Sequence, residues 1–292
     1  IILYFSFIFY ILFFLVLKSN NYVSNLVNDT VLVLFVGCSF AFFIGIIDDI
    51  LHLKVEKKIL ALSIFNILLF QQIPFFQSSV LIFNNSFFDM KISTISISLI
   101  ISILFFLAYH YALVILDGIN GIFGFYSIVI FSIFFFVFNM NIVLENFIFY
   151  ILLILIFITI LNMKSELFFG NSGSLLISAL IPYFILYFYN QRENEIYFFH
   201  FLSLVIVPIL DMVRLFVKRL SLGKSPFLKD LNHFHHLLLN KYSVSFSIII
   251  YLALCFIPFL TINFYKFNPV IMVLLQVMVF FYLTSKLRSK SI

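Results

Sequence analysis

Asp48 and Asp49 sit side by side at the end of the apolar run FFIGIIDDI, in a 292-residue chain that is 64% hydrophobic and 10% charged. Adjacent acids at the edge of such a run are costly and rare, so their presence points to something they bind: a divalent cation, a proton or a phosphorylated group. The segment continues as LHLKVEKK, which adds Lys54, Lys57 and Lys58. Lysines there neutralise phosphate oxygens, while the carboxylates hold a metal or accept a proton from a phosphate nucleophile. The combination reads as phosphate chemistry, with Asp48 and Asp49 as candidate catalytic acids and Lys57 as a candidate phosphate contact.

Three further motifs carry comparable chemistry. ILDGINGIFG places Asp117 and Asn120 in a break punctuated by Gly118, Gly121 and Gly124, where backbone and carboxylate approach a ligand closely. LFFGNSGSLLIS opens a helix with Gly170, Asn171, Ser172, Gly173 and Ser174. Small residues at a helix start either offer oriented N–H groups to an anion or form a capping turn. The longest polar segment, KRLSLGKSPFLKDLNHFHH, combines Lys224 and Asp230 with His233, His235 and His236. Imidazoles and lysines there suit a polyphosphate, and the absence of a cysteine or a fourth close ligand makes zinc the weaker reading. His52, His110 and His200 read as structural or incidental, and Cys38 and Cys255 as packing residues.

The elements that position these motifs are membrane helices. A mean hydropathy of +1.20, with 45 Phe and no Trp, excludes a soluble globular surface. About ten apolar runs match the roughly 20 residues a helix needs to cross a bilayer core, near 2–17, 31–47, 59–75, 95–115, 122–138, 147–162, 173–189, 198–217, 246–264 and 269–285. Their continuous apolar character favours helices over a barrel. If they alternate across the membrane, all but four of the 17 Lys and Arg (Lys18, Lys91, Arg192 and Lys266) fall on one side, which is then cytoplasmic. All four motifs land on that face. The expected fold is therefore all-α: a polytopic integral membrane protein of about ten transmembrane helices, one domain over 1–292. Its active site is cytoplasmic and its His-rich loop spans 218–245.

In this order, the aspartate pair, the DGxxG turn, the FxGxxGS helix start and the HxHH loop resemble the polyprenyl-phosphate N-acetylhexosamine-1-phosphate transferases. That family includes the enzymes that initiate enterobacterial-antigen and teichoic-acid synthesis and the muramyl-pentapeptide transferases. The resemblance covers nearly the whole chain, and the KSPFLKDLNHFHH context is closest to the initiating branch. It implies an enzyme of the bacterial inner membrane, with its C-terminus cytoplasmic, that moves a sugar-1-phosphate from a UDP-N-acetylhexosamine to undecaprenyl or another polyprenyl phosphate. UMP is released and surface polysaccharide or cell-wall glycan synthesis begins.

By the same resemblance Asp48 and Asp49 orient or deprotonate the lipid phosphate. Asp117 and Asn171 hold Mg²⁺, for which Mn²⁺ can substitute. Lys57, Asn120, Gly170, Ser172, Lys224, Asp230, His233, His235 and His236 contact substrate. No nucleic acid is implied, and a homodimer is compatible with the pattern. The chain departs from the family where an aspartate is usual at 171 and 120, an asparagine at 114 and an acid at 52; here Asn171, Asn120, Val114 and His52 stand instead. The family's first helix is expected to be absent, since the sequence starts inside an apolar run at Ile1. A catalytically weakened homologue is the first alternative, and a proton- or cation-coupled transporter the second.

Overall fold

Uninterrupted runs of Phe, Ile and Leu have no backbone partners in lipid, so they satisfy their own N–H and C=O groups as helices. The computed structural model describes residues 29–72, 81–85, 88–92, 95–140, 142–191, 198–228 and 230–288. Its chain falls into two compact units, Ile1–Val80 with Ser93–Asn194, and Leu81–Ile92 with Glu195–Ile292.

The first unit contains α1 (Asp29–Leu51), α2 (Val55–Gln72), α3 (Ile95–Leu116), α4 (Ile122–Val137), α5 (Ile142–Met163) and α6 (Gly170–Gln191). Helix α6 packs against α1, α3 and α4. Glycine lets α1 come close: a methyl group at Gly45 would collide with the backbone of Asn171 and Ser172 at the start of α6. Gly124 of α4 likewise leaves room for the Thr159 side chain of α5. Away from that end, Phe134, Phe138, Phe184 and Phe188 form an aromatic cluster, with Phe138 stacked on Phe188 at 4.4 Å between ring centroids. Large apolar side chains also face outward, among them Ile50, Phe136 and Phe157, as lipid-facing helices require.

The second unit holds α7 (Phe198–Ser221), the short α8 (Phe234–Leu239), α9 (Val244–Tyr265) and α10 (Pro269–Arg288). It also holds an antiparallel hairpin absent from the sequence expectation, β1 (Leu81–Asn85) paired with β2 (Phe88–Ile92), Leu81 opposite Ile92. The all-α expectation is thus met by a helical fold carrying one small hairpin. Pro258 has no N–H to give the Leu254 carbonyl one turn earlier in α9. Buried Gln276 of α10 supplies the missing donor at 2.9 Å and donates to Ser203 O of α7 at 2.8 Å. One amide thereby ties three helices.

Every expected span from residue 31 onward overlaps a helix, while the one at 2–17 and residues 73–75 of another lie outside the described residues. Among the described residues four helices are long and apolar enough to cross a membrane, Leu144–Met163, Phe198–Ser221, Val244–Tyr265 and Pro269–Arg288. The chain is a multi-pass membrane protein. Cys38 and Cys255 are free and buried.

Candidate active site

The aspartate pair splits into two environments because consecutive helical residues point about 100° apart. Asp48 is 3% exposed and is neutralised by Lys58 of α2 at 2.7 Å. Lys57, expected at the phosphate, is exposed and makes no side-chain hydrogen bond or ion pair among the described residues; the lysine that meets Asp48 is Lys58. The reversal from α1 to α2 passes through His52, whose φ of 48° and N–H bond to Asp48 O end α1, so His52 serves the chain reversal.

Asp49 is exposed and turns the other way, onto the start of α6. Its carboxylate accepts from Asn171 N at 3.0 Å and Ser172 N at 3.1 Å. A side chain from another helix thus satisfies orphan donors that would otherwise need a local cap. The expectation that these amides stand open to a diphosphate gives way to this contact. Gly170, at φ 64°, brings the backbone under Asp49, with room for a Cβ only 3.4 Å from Oδ2.

Asp117 lies in the turn between α3 and α4, where Gly121 adopts φ 89°. Its carboxyl group has no hydrogen-bond partner among the described residues. Burial, and then the neighbouring Asp49 carboxylate, push it up to about 7. Asn120 does not face that acid: its Nδ2 donates to Ser165 Oγ at 2.8 Å. Asn162 reaches Gly121 N at 2.6 Å and Leu167 O at 3.0 Å. The turn carrying Asp117 is therefore latched to the loop after α5, with Asn120 as part of the latch.

Two carboxylates close enough to repel, neither paired to a cationic side chain, suit a hard divalent ion. Magnesium usually takes one or two protein carboxylates and completes its shell with water and substrate phosphates. Among the described residues no group of three His, Cys, Asp or Glu converges as a metal site; two carboxylates are as many as such an ion takes when the rest of its shell is water and phosphate. Asp49 and Asp117 are the groups that could hold it, with Asn171 the residue whose N–H meets Asp49.

The second unit is organised around Asp211, a buried acid in the apolar run of α7. Its Oδ1 accepts from Arg214 Nη2 at 2.7 Å and from Phe234 N at 3.0 Å, and its Oδ2 meets His233 Nδ1 at 2.9 Å. Arg214 also donates to Asn232 O. Arg219 uses Nε, Nη1 and Nη2 on Asp230 and Pro226 O, fixing the loop between α7 and α8. Burial alone would raise Asp230, but the Asn232 N–H and then Arg219 outweigh it and hold the acid below its usual range. Asp230 is thus a loop fastener, and Lys224 is exposed.

The three histidines differ. His233 is tied to Asp211. His235 is 1% exposed, stacks on His233 at 5.6 Å, and has both ring nitrogens unpartnered. Burial, and then His236, push it down to about 3. His236 is half-buried and is lowered by burial and then by His233. Sequence reading singled out the histidines and missed the residue that organises them. An acid three residues before an arginine inside an apolar helix was the available signal.

The fold is that of a largely helical membrane protein, and its first unit brings Asp49 to the start of α6 with Asp117 near it. The family model for Glycosyl transferase family 4 matches residues 31–189, more than half of the chain, and the chain belongs to that family. The match contains every acid of the first unit's site and ends before α7. Similar proteins include the undecaprenyl-phosphate alpha-N-acetylglucosaminyl 1-phosphate transferase of Escherichia coli (strain K12), 32% identical over 81 residues, 28% of this chain and 22% of the relative. The proteins of that name from Pasteurella multocida (strain Pm70) and Haemophilus influenzae (strain ATCC 51907 / DSM 11121 / KW20 / Rd) are each 32% identical over 77 residues, 26% of this chain and 22% of theirs. The aligned stretch spans about a fifth of those relatives' length.

Proposed function

We propose that this protein transfers an N-acetylhexosamine-1-phosphate from a UDP-sugar to a polyprenyl phosphate at the cytoplasmic face of a bacterial inner membrane. UMP leaves, and the polyprenyl-diphospho-sugar starts a surface polysaccharide or cell-wall glycan. The observation that carries this reading is the neighbouring pair of carboxylates, Asp49 on the start of α6 and Asp117 in the turn before α4, within the stretch matched to the family.

In the reaction an oxygen of the lipid phosphate attacks the sugar-bearing phosphorus of the UDP-sugar. The bond from that phosphorus to the bridging oxygen breaks, and UMP takes the oxygen and its electron pair. Asp48 is committed to Lys58 and sets the position of its neighbour. Asp49, exposed at the helix start, is the carboxylate placed to orient the lipid phosphate and take its proton. Asp117 and Asp49 would hold magnesium, which would neutralise charge on the diphosphate when bound. Asn171 gives an amide where a carboxylate would bind more strongly. His233 and His236 are the nucleotide-sugar contacts.

The test is UMP release by the full chain in detergent with undecaprenyl phosphate and a panel of UDP-N-acetylhexosamines, with Mg²⁺ present or chelated. Release that needs both lipid and metal, and that disappears in Asp117→Asn, is expected. Failure to release UMP with any sugar and either ion, Mg²⁺ or Mn²⁺, overturns the reading and leaves an inactive family member.

A further inference from the structure

We infer that Asp211 is a positioning residue: it fixes His233 with its proton on Nδ1 and turns Nε2 toward the diphosphate of a nucleotide. The choice of ligand rests on the transferase reading, whereas the positioning rests on geometry alone.

An ionised carboxylate only accepts hydrogen bonds, so the 2.9 Å contact between Asp211 Oδ2 and His233 Nδ1 requires the proton on Nδ1. The other oxygen is taken by Arg214 Nη2 and Phe234 N, which keeps the carboxylate ionised and unable to rotate. The Phe234 N–H is the main chain next to His233. Asp211 therefore anchors both the ring and the start of α8 that carries it. The parallel, buried His235 ring covers one face of His233. Nε2 is the remaining polar atom of that imidazole, and it has no partner among the described residues.

Two observations favour an anionic ligand. Arg214 has an 8% exposed side chain, and its Nε and Nη1 are buried without an acceptor, so this cluster holds more donors than it satisfies. Arg219, by contrast, spends its donors on the loop. An imidazole fixed by a carboxylate at one nitrogen and free at the other is the arrangement by which outer partners set the tautomer and basicity of an active histidine.

The experiment uses the full chain labelled with ¹⁵N-histidine at about pH 8, where a free imidazole is neutral, and UDP as the probe. The His233 signals are assigned by their loss in His233→Gln. Expected are an Nδ1–H tautomer in the parent, a proton moved to Nε2 in Asp211→Asn, and a shift of the parent Nε2 resonance on adding UDP. UDP affinity should fall about 10- to 100-fold in Asp211→Asn, the range known for carboxylates that stand behind a metal-bound histidine.

A parent His233 protonated on Nε2, or a tautomer unmoved in Asp211→Asn, overturns the positioning role. An Nε2 resonance indifferent to UDP overturns the ligand. Should Asp211→Asn fail to fold, the parent's tautomer and UDP response decide both points. A UDP-responsive Nε2 in a chain that releases no UMP would sink the transferase reading and leave this one standing.

Discussion

The acids of the two units are treated in opposite ways. In the second unit each functional acid is compensated: Asp211 by Arg214 and His233, Asp230 by Arg219. In the first, among the described residues, Asp48 has a cationic partner in Lys58, Asp49 accepts from two backbone N–H groups, and Asp117 has no hydrogen bond. A carboxylate held by a cationic partner fixes structure, whereas Asp49 and Asp117 rely on N–H groups or on none among the described residues. Under the proposed function that difference makes Asp49 and Asp117 the acids that would face a cation.

The largest effect is expected at Asp211. In Asp211→Ala three donors lose their acceptor, and Arg214 is left as a buried charge without a counter-ion. Breaking such a pair from one side costs about 3–5 kcal/mol. Thermal melting of the purified chain should fall by the corresponding margin, and Arg214→Met in the same background should recover part of it, since the stranded charge is then gone. No recovery would mean that Asp211 acts through the Phe234 N–H alone.

At Asp117 the sign reverses, and removing the acid should stabilise the chain. Its folded value, about 7, lies above the ordinary 3.8, so the folded state holds the proton more tightly than the unfolded one. Stability therefore falls as pH rises from about 4 to about 7 and levels off beyond. Without divalent cation at about pH 8, Asp117→Asn should melt higher than the parent, on the order of 2 kcal/mol once partial exposure of the turn is allowed for. The gain should vanish near pH 4. Added Mg²⁺ should raise the parent's melting point and leave the variant's unchanged. A variant less stable than the parent at the higher pH would remove the claim that this acid is uncompensated.

What the sequence showed and hid follows the range of the interactions. Apolar runs and the glycines at 118, 121 and 124 are local, so the helices from residue 31 and the Asp117 turn were legible. Which of Lys57 and Lys58 meets Asp48 depends on the phase at which α2 restarts after His52, and no local pattern sets that. The Asp49 cap on α6 joins residues 122 apart in sequence, and the motif at Gly170 reads equally well as an anion site or a self-capped helix until α1 is placed against it. Asn120 looked like a ligand from its motif, yet its amide serves Ser165, a partner defined by the packing of α5 on α4. Asp211 stood in plain view inside an apolar run. Its meaning appeared only when the His-rich loop was seen to fold back onto α7.

Asn171→Asp is the smallest of these changes and the sharpest test of where the first unit's charge deficit lies. The residue sits in the first turn of α6, where a carboxylate gains from the helix dipole but also adds a third negative charge near Asp49 and Asp117. Without metal these effects oppose, and the melting point should move little. With Mg²⁺ the added charge is attractive: one more unit charge about 4 Å from a divalent ion in a watery site contributes about 2 kcal/mol, roughly a thirtyfold change in affinity. The Mg²⁺ concentration for half-maximal thermal stabilisation should fall by about that factor, and the half-maximal concentration for UMP release should fall with it. A lower requirement in both would locate the ion between α6 and the two acids. Unchanged Mg²⁺ dependence would detach Asn171 from the metal and leave Asp49 as its only link to the site.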